Sequence, residues 1–202
     1  MQQPPYPQPQ WGPQPAPPPK KGLSCAVIAL IVLAASVPVL GVLAALAIYG
    51  VRRYIAAAKT SEAKAAVTAI ASASQVAYER RVAELSDKSG QSLCRSAEPV
   101  PASVPKGNKY ASAASDWETG DSATGWKCLK FSISVPQYYQ YRYTQGADRG
   151  VIGTSPGSEG FEAGAQGDLD GDGTPSAFAR EGRIEGGALV LGTQMNIENE
   201  FE

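Results

Sequence analysis

The sequence predicts an α+β fold in which one long N-terminal helix, half in a membrane and half in water, packs on a small antiparallel β-sheet. Residues 23–49 carry no charge, residues 52–87 are rich in alanine without Gly or Pro, and after Trp126 the apolar period changes to two. The first two patterns are typical of a helix and the third is typical of strands. The expected domains are residues 1–22, 23–50, 51–88 and 89–202.

The N-terminal residues 1–22 are dominated by proline and glutamine. They hold nine of the 16 prolines of the chain and end in Lys20, Lys21 and Gly22. Such a composition is typical of a disordered segment with polyproline II character. We predict a disordered leader, which the cysteine usage described below places in the cytoplasm.

The uncharged residues 23–49 predict a transmembrane helix. A helix of 27 residues reaches roughly 40 Å, which exceeds the thickness of the hydrocarbon core of a bilayer. A cleaved secretory signal is the alternative, but its apolar region would span only about 7–15 residues. Pro38 lies within the span and is expected to kink the helix.

Residues 51–88 are predicted to continue this helix into water and to end before Gly90. Alanine dominates here, and a thin apolar stripe follows one helical face: Val67, Ile70, Ala73, Ala77 and Leu85.

Residues 89–202 are predicted to form the antiparallel sheet, with strands paired in chain order. Prolines and glycines in residues 91–125 indicate a long surface loop, with a short helix around residues 110–116. Alternating residues then predict strands at 127–133 and 139–143, and further strands are expected at 160–167, 176–180 and 188–192.

Composition excludes several classes of function. The chain has no histidine, which removes Ser-His-Asp and Cys-His catalysis and His-ligated metal centres. A formal net charge of -1 gives no indication of a nucleic-acid partner. Glu159 and Glu162 are the residue types of a glycosidase pair, but Glu/Gly-rich segments produce such pairs by chance. We therefore expect neither an enzyme nor a cofactor.

The three cysteines indicate the orientation of the chain. Cys94 and Cys128 both lie in the predicted sheet domain, whereas Cys25 lies in the apolar span. Two cysteines in a small Gly-rich domain predict a disulfide and an oxidising compartment, with two free thiols as the alternative. This places residues 89–202 in the periplasm and the leader in the cytoplasm, because the basic residues flanking the span indicate neither orientation.

An acidic turn is the candidate metal site. Asp168, Asp170 and Asp172 occupy positions 1, 3 and 5 of a calcium-loop pattern, with glycine at position 6. The bidentate glutamate expected at position 12 is replaced by Ala179, and Glu181 comes two residues later. We therefore expect a tight turn whose carboxylates cap backbone N–H groups, with weak calcium binding at most.

Four tyrosines form a second candidate surface. In a strand, Tyr139, Tyr141 and Tyr143 share one face and Tyr138 lies on the other. The expected role of the shared face is packing against the helix, and a surface for sugar or a partner protein is the alternative.

This succession of elements resembles a type IV pilin. Residues 41–48 and 54–64 resemble the run that crosses from membrane to water in pilins. Residues 131–143 are similar to the first hairpin of a group of short bacterial pilins, and residues 167–174 to the turn between their later strands. The resemblance covers roughly residues 22–192. It implies a single-pass protein of the bacterial inner membrane with a periplasmic domain. In a pilus this domain would be extracellular. The implied partners are other pilins and the pilus assembly machinery.

The sequence departs from the pilin pattern at one important position. Prepilins are normally cut after a glycine, and the fifth residue beyond the cut is a glutamate that is thought to pair with the N-terminal amine of a neighbour. A cut after Gly22 places Val27 at that position, and the first acidic residue of the chain is Glu62. An apolar residue cannot make this pairing, so we do not expect the chain to polymerise as a major pilin.

Two functions remain open. One is a pilin-like structural subunit or minor pilin of a type IV pilus or related secretion filament. The other is a non-polymerising single-pass membrane protein with a periplasmic pilin-like domain that binds a ligand or calcium.

Overall fold

A computed structural model describes residues 24–153 and 155–202, together with Gly12 and Gly22. The predicted leader over residues 1–22 lies outside the described residues except for those two glycines. The chain divides into two compact units, Met1–Ala47 and Ile48–Glu202. The division falls inside helix α1 (Cys25–Leu85), so each unit contains part of this helix.

In the first unit, residues 25–47 of α1 are apolar, uncharged and unburied. Leu30 is 65% exposed and Leu33 is 64% exposed, and none of these described residues is buried. By length and composition α1 is suited to cross a membrane. The sequence prediction of an apolar helix is therefore confirmed.

In the second unit, α1 buries the face predicted from its apolar stripe. Val67, Ile70 and Ala77 are buried as expected, whereas Leu85 is 52% exposed. The helix ends at Leu85 because Ser86 takes a left-handed conformation, with φ of 55°. The buried residues of α1 are Thr60, Ala63, Val67, Ile70, Ala71, Ser74, Ala77, Tyr78 and Arg81.

Six strands form one antiparallel sheet in the described part of the chain. The order is β1-β2-β3-β4-β5, as the predicted meander requires, and β6 pairs with the same strand, β4, as β5 does. The strands are β1 (Ala97–Val100), β2 (Gln140–Gly146), β3 (Gly157–Gly167), β4 (Ser176–Glu185), β5 (Ala188–Leu191) and β6 (Asn196–Glu198).

The predicted loop over residues 91–125 contains more regular structure than expected. Short 3-10 helices form at Gly90–Ser92 and at Ala114–Trp117, the second in place of the helix predicted over residues 110–116. The loop prediction was wrong for β1, whose Ala97 pairs with Tyr143 of β2. This pairing joins residues far apart in the chain, so it leaves little local signal in the sequence.

The strand predicted at residues 127–133 is also wrong. Helix α2 (Gly125–Leu129) forms instead and ends where Lys130 adopts a left-handed φ of 54°. Lys127 and Lys130 are both exposed. Residues three apart lie on the same face of a helix, so these two lysines are as compatible with a helical turn as with a strand. Residues 131–139 are mostly irregular. Of the hairpin expected over residues 131–143 from the pilin resemblance, only the second half is therefore a strand.

A disulfide and two arginines hold the far end of α1 to this segment. Cys94 and Cys128 form the predicted disulfide, with Cα atoms 5.8 Å apart, although Cys128 lies in α2 and not in a strand. Arg80 donates to the carbonyl oxygen of Cys128 at 2.6 Å. The buried Arg81 guanidinium donates to three carbonyl oxygens, those of Gln91, Ser92 and Ser122.

Two tyrosines of β2, and a third directly before it, fill the space between the sheet and α1. The side chains of Tyr139, Tyr141 and Tyr143 are fully buried, so the predicted packing role is confirmed. The Tyr143 hydroxyl lies 3.0 Å from Ser74 Oγ of α1, and its ring stacks on Phe161 of β3 at 5.3 Å. Because the facing helix residues are mostly small, the large rings supply the volume of the core.

We expect Ile70→Ala to destabilise the second unit by about 2–5 kcal/mol, because the substitution leaves a cavity in the buried core. Ile70 is fully buried. Val76→Ala on the same helix is the matched control, since Val76 is 62% exposed and a surface change alters stability by at most about 0.5 kcal/mol. Denaturant unfolding of the full chain in detergent micelles measures both. Equal effects of the two substitutions would contradict this packing.

Candidate functional site

The acidic turn connects β3 to β4. Asp168 follows the last residue of β3 and is buried, whereas Asp170 and Asp172 are exposed. One carboxylate oxygen from each of the three aspartates lies within 4.8 Å of the others. The structure therefore brings together the three residues that the sequence indicated.

The carboxylates of the turn accept hydrogen bonds from its own backbone. Asp168 accepts through Oδ1 from the N–H of Gly171 at 2.7 Å and through Oδ2 from the N–H of Gly173 at 3.0 Å. Asp170 Oδ1 accepts from Asp172 N at 3.1 Å, and Asp172 Oδ1 from Thr174 N at 2.7 Å. This is the expected capping arrangement, in which carboxylates satisfy N–H groups that no strand partner can satisfy.

Two glycines make the turn geometry accessible. Gly171 and Gly173 have φ values of 83° and 99°, a region that side chains with a Cβ rarely adopt. The backbone of Asp168 also holds a neighbouring loop, since its carbonyl accepts from Gly107 N at 2.7 Å. The turn is therefore part of the framework of the sheet as well as a cluster of acids.

A fourth acid, which the sequence did not indicate, lies beside the turn. The negative charges of Asp170, Asp172 and Asp168, together with some desolvation, raise the pKa of the Glu202 side chain. Glu202 reaches this place because its backbone oxygen accepts from Ser176 Oγ at 2.8 Å. Local sequence carries no signal for this approach, because about 30 residues separate Glu202 from the turn.

The calcium-loop pattern does not continue into the rest of the turn. Ala179, at position 12, is buried in β4, and Glu181 pairs across the strands with Glu162 of β3. Calcium takes 6–8 oxygen ligands, commonly including a bidentate carboxylate. Both oxygens of Asp168 already accept N–H groups, so Asp170 and Asp172 are the better-placed carboxylates for a cation.

The suggested glycosidase pair is not brought together. Glu159 is exposed and Glu162 is buried, and their odd spacing places them on opposite faces of β3.

Glu162 is instead a buried carboxyl beneath the connection from β2 to β3. Its Oε1 accepts from Val151 N at 2.6 Å, and its Oε2 has no hydrogen-bond partner among the described residues. A Cβ at Gly150 would overlap this carboxylate. Burial raises the pKa of Glu162 to about 7, helped by Glu181 and opposed by the Val151 hydrogen bond and by Arg142.

Glu62 of α1 is another acid with a structural task. Its Oε1 accepts from Tyr138 N at 2.7 Å and from the Tyr141 hydroxyl at 3.3 Å. Burial, followed by the charge and hydrogen bond of Glu62, raises the pKa of Tyr141. Tyr138 itself precedes β2, and its ring lies 4.5 Å from Lys59 Nζ of α1. The strand alternation predicted for Tyr138 therefore does not apply to it.

Comparison with known proteins identifies no family for this chain: no family model, no curated protein and no solved structure matches it.

We expect calcium to bind the acidic turn more weakly than micromolar. Titration calorimetry of the full chain in detergent micelles measures this, with the D170N/D172N double variant as control. Asparagine keeps a side-chain oxygen for the turn hydrogen bonds but removes the charges. The heats at micromolar calcium should be the same for both proteins. A micromolar constant that the double variant loses would contradict the expectation.

We expect the free energy of unfolding to fall by up to about 3 kcal/mol as the pH rises from 4.5 to about 7. In this window Glu162 is protonated in the folded chain but ionised in the unfolded chain, so the unfolded state binds fewer protons. The loss is complete above the folded pKa. Denaturant unfolding of wild type and Glu162→Gln across this pH range isolates the contribution. A wild-type slope unchanged in the variant would contradict it.

Proposed function

We propose that this chain is a membrane-anchored, pilin-like subunit that serves as a minor component of a type IV pilus or related secretion filament. One observation carries the proposal: α1 joins an uncharged apolar segment with no buried residue to a segment that packs on an antiparallel sheet. An apolar surface of this extent is stable in lipid or among similar helices, and not in water. In this proposal the first segment crosses the bacterial inner membrane.

The disulfide supports a periplasmic location for the second unit. Cys94 and Cys128 are both buried and joined. Such bonds persist in oxidising compartments and are rare in the cytoplasm. The Pro-rich leader then lies on the cytoplasmic side, where a cut after Gly22 would release it.

The composition of the apolar segment favours a minor role in assembly. Its small residues, including Ala34, Ala35, Ala44 and Ala45, allow close approach of another helix. It has no acidic residue, and Val27 stands where the pilin pattern has glutamate. A charged side chain within a membrane is stable only when it is paired, and such a pair fixes how one helix aligns with its neighbour. The apolar segment of this chain has no charged side chain that could form such a pair.

The lack of a glutamate at the position of Val27 also favours a second candidate function. A single-pass membrane protein that never polymerises needs no glutamate at Val27. Its periplasmic domain would then act by binding, and the acidic turn with Asp170 and Asp172 would be the place for a ligand or calcium. The state of the N-terminus separates the two candidates. A mature chain that begins at Leu23 favours the pilin-like subunit, and one that begins at Met1 favours the second.

We expect the chain not to build filaments by itself. The test is expression as the sole pilin-like protein in a bacterium with a working assembly machine, with shed filaments measured by electron microscopy. Co-expression with a pilin that carries the glutamate should yield filaments that contain a small share of this chain. Val27→Glu is the matched variant and should leave the fold of the second unit unchanged.

Abundant filaments made only of the unaltered chain would contradict the minor role. Exclusion from filaments in every co-expression, with an uncut N-terminus, would favour the non-polymerising alternative.

A further inference from the structure

The C-terminal residues of the chain return to the part of α1 that directly follows the uncharged stretch. The carbon at the centre of the Arg53 guanidinium lies 4.9 Å from the centroid of the Phe201 ring. Glu200 forms an ion pair with Lys64 at 2.5 Å, and the Glu202 backbone oxygen accepts from Ser176. Residues 200–202 are therefore held against α1 and β4.

Chain position places this contact near a bilayer surface. The uncharged stretch ends by Tyr49, and Arg53 follows four residues later, roughly 6 Å along a helix. The headgroup layer on each side of the hydrocarbon core is about 5–7 Å thick. The Arg53 side chain can also extend toward the headgroups while its stem lies along apolar surface.

The side chains around Arg53 have the character of a membrane interface. Tyr49 is 63% exposed, Tyr54 is 76% exposed and Phe201 is 42% exposed. Arg53 also donates to the Tyr49 hydroxyl at 3.4 Å. Neither Arg52 nor Arg53 pairs with a carboxylate among the described residues. Aromatic rings beside unpaired cations are typical of the boundary between acyl chains and phosphates.

We propose that Tyr49, Arg53 and Phe201 form a membrane-interface contact, in which the C-terminal segment inserts the Phe201 ring at the level of the lipid carbonyls. The arginine side chain then meets lipid phosphates. This inference rests on the proposed membrane anchor and adds a second attachment of the periplasmic domain to the bilayer. It gives residues 200–202 a task that the sheet does not require, since β6 ends at Glu198.

The contact does not need anionic lipid. Glu202 directly follows Phe201 in the chain, and the aspartates of the acidic turn lie near Glu202 in space. Their negative charges oppose those of Arg52 and Arg53, so a negatively charged headgroup gains little over a zwitterionic one. Phosphatidylcholine, which carries the same phosphate without net charge, is therefore the right probe.

The test places a tryptophan at two exposed sites of the full chain. F201W probes the proposed contact, and V190W is the matched control, since Val190 is 45% exposed on β5. The β4–β5 turn lies beside Tyr78, whose hydroxyl donates to the Gly187 carbonyl at 3.3 Å. Tyr78 is 25 residues beyond Arg53, roughly 37 Å along the helix. The control thus lies far from the proposed contact.

Both variants are reconstituted in phosphatidylcholine vesicles whose acyl chains carry bromine close to the carbonyl. After subtraction of the wild-type signal, quenching of F201W should exceed that of V190W several-fold. Equal quenching in chains that float with the vesicles would overturn the interface contact and leave the anchor standing. Chains that fail to float with the vesicles would overturn the anchor and this inference with it.

Discussion

The fit between large side chains on β2 and small ones on α1 is the constraint on which the second unit depends. Tyr139, Tyr141 and Tyr143 are fully buried, and the same core contains fully buried helix residues such as Ala63 and Ala71. Because the buried helix residues are mostly small, the rings supply much of the volume between helix and sheet. Hydroxyl contacts with Ser74 and Glu62 satisfy two of the buried phenols, so the polar ends also set the register of helix on strand.

Sequence patterns predicted the elements whose pairing partners are near in the chain. The apolar stripe predicted the second part of α1, and the strands expected from residue 139 onward correspond to β2, β3, β4 and β5 in their observed order. The prediction failed between residues 89 and 139, where β1 pairs far along the chain and α2 replaces a strand. It also missed β6, which has only three residues. Short segments whose shape depends on distant contacts, such as the Trp126 indole donating to the Glu98 carbonyl at 2.8 Å, carry little periodic signal.

The candidate site shows the same division. The spacing of Asp168, Asp170 and Asp172 predicted a turn, because carboxylates and glycines two residues apart act on their own backbone. Glu202 was missed because only the folded chain brings it there, and Glu162 was considered only as half of a catalytic pair. A carboxyl that is buried beneath a loop, with one oxygen bonded to backbone, looks like any other strand glutamate in the sequence.

A helix that belongs to two units follows two different rules for tolerated change. In residues 25–47 no side chain is buried, so leucine, valine and alanine are interchangeable as long as they remain apolar. Ala63 and Ala71 are fully buried in the core that also contains the tyrosine rings, so a larger side chain would overpack it, whereas exposed positions between them, Ala65 and Ala69, accept polar residues. Divergent forms of this chain should therefore vary in residue size along the first segment and in polarity along the second. An alanine in the first segment can therefore be replaced by a larger apolar residue, whereas a buried alanine in the second segment cannot.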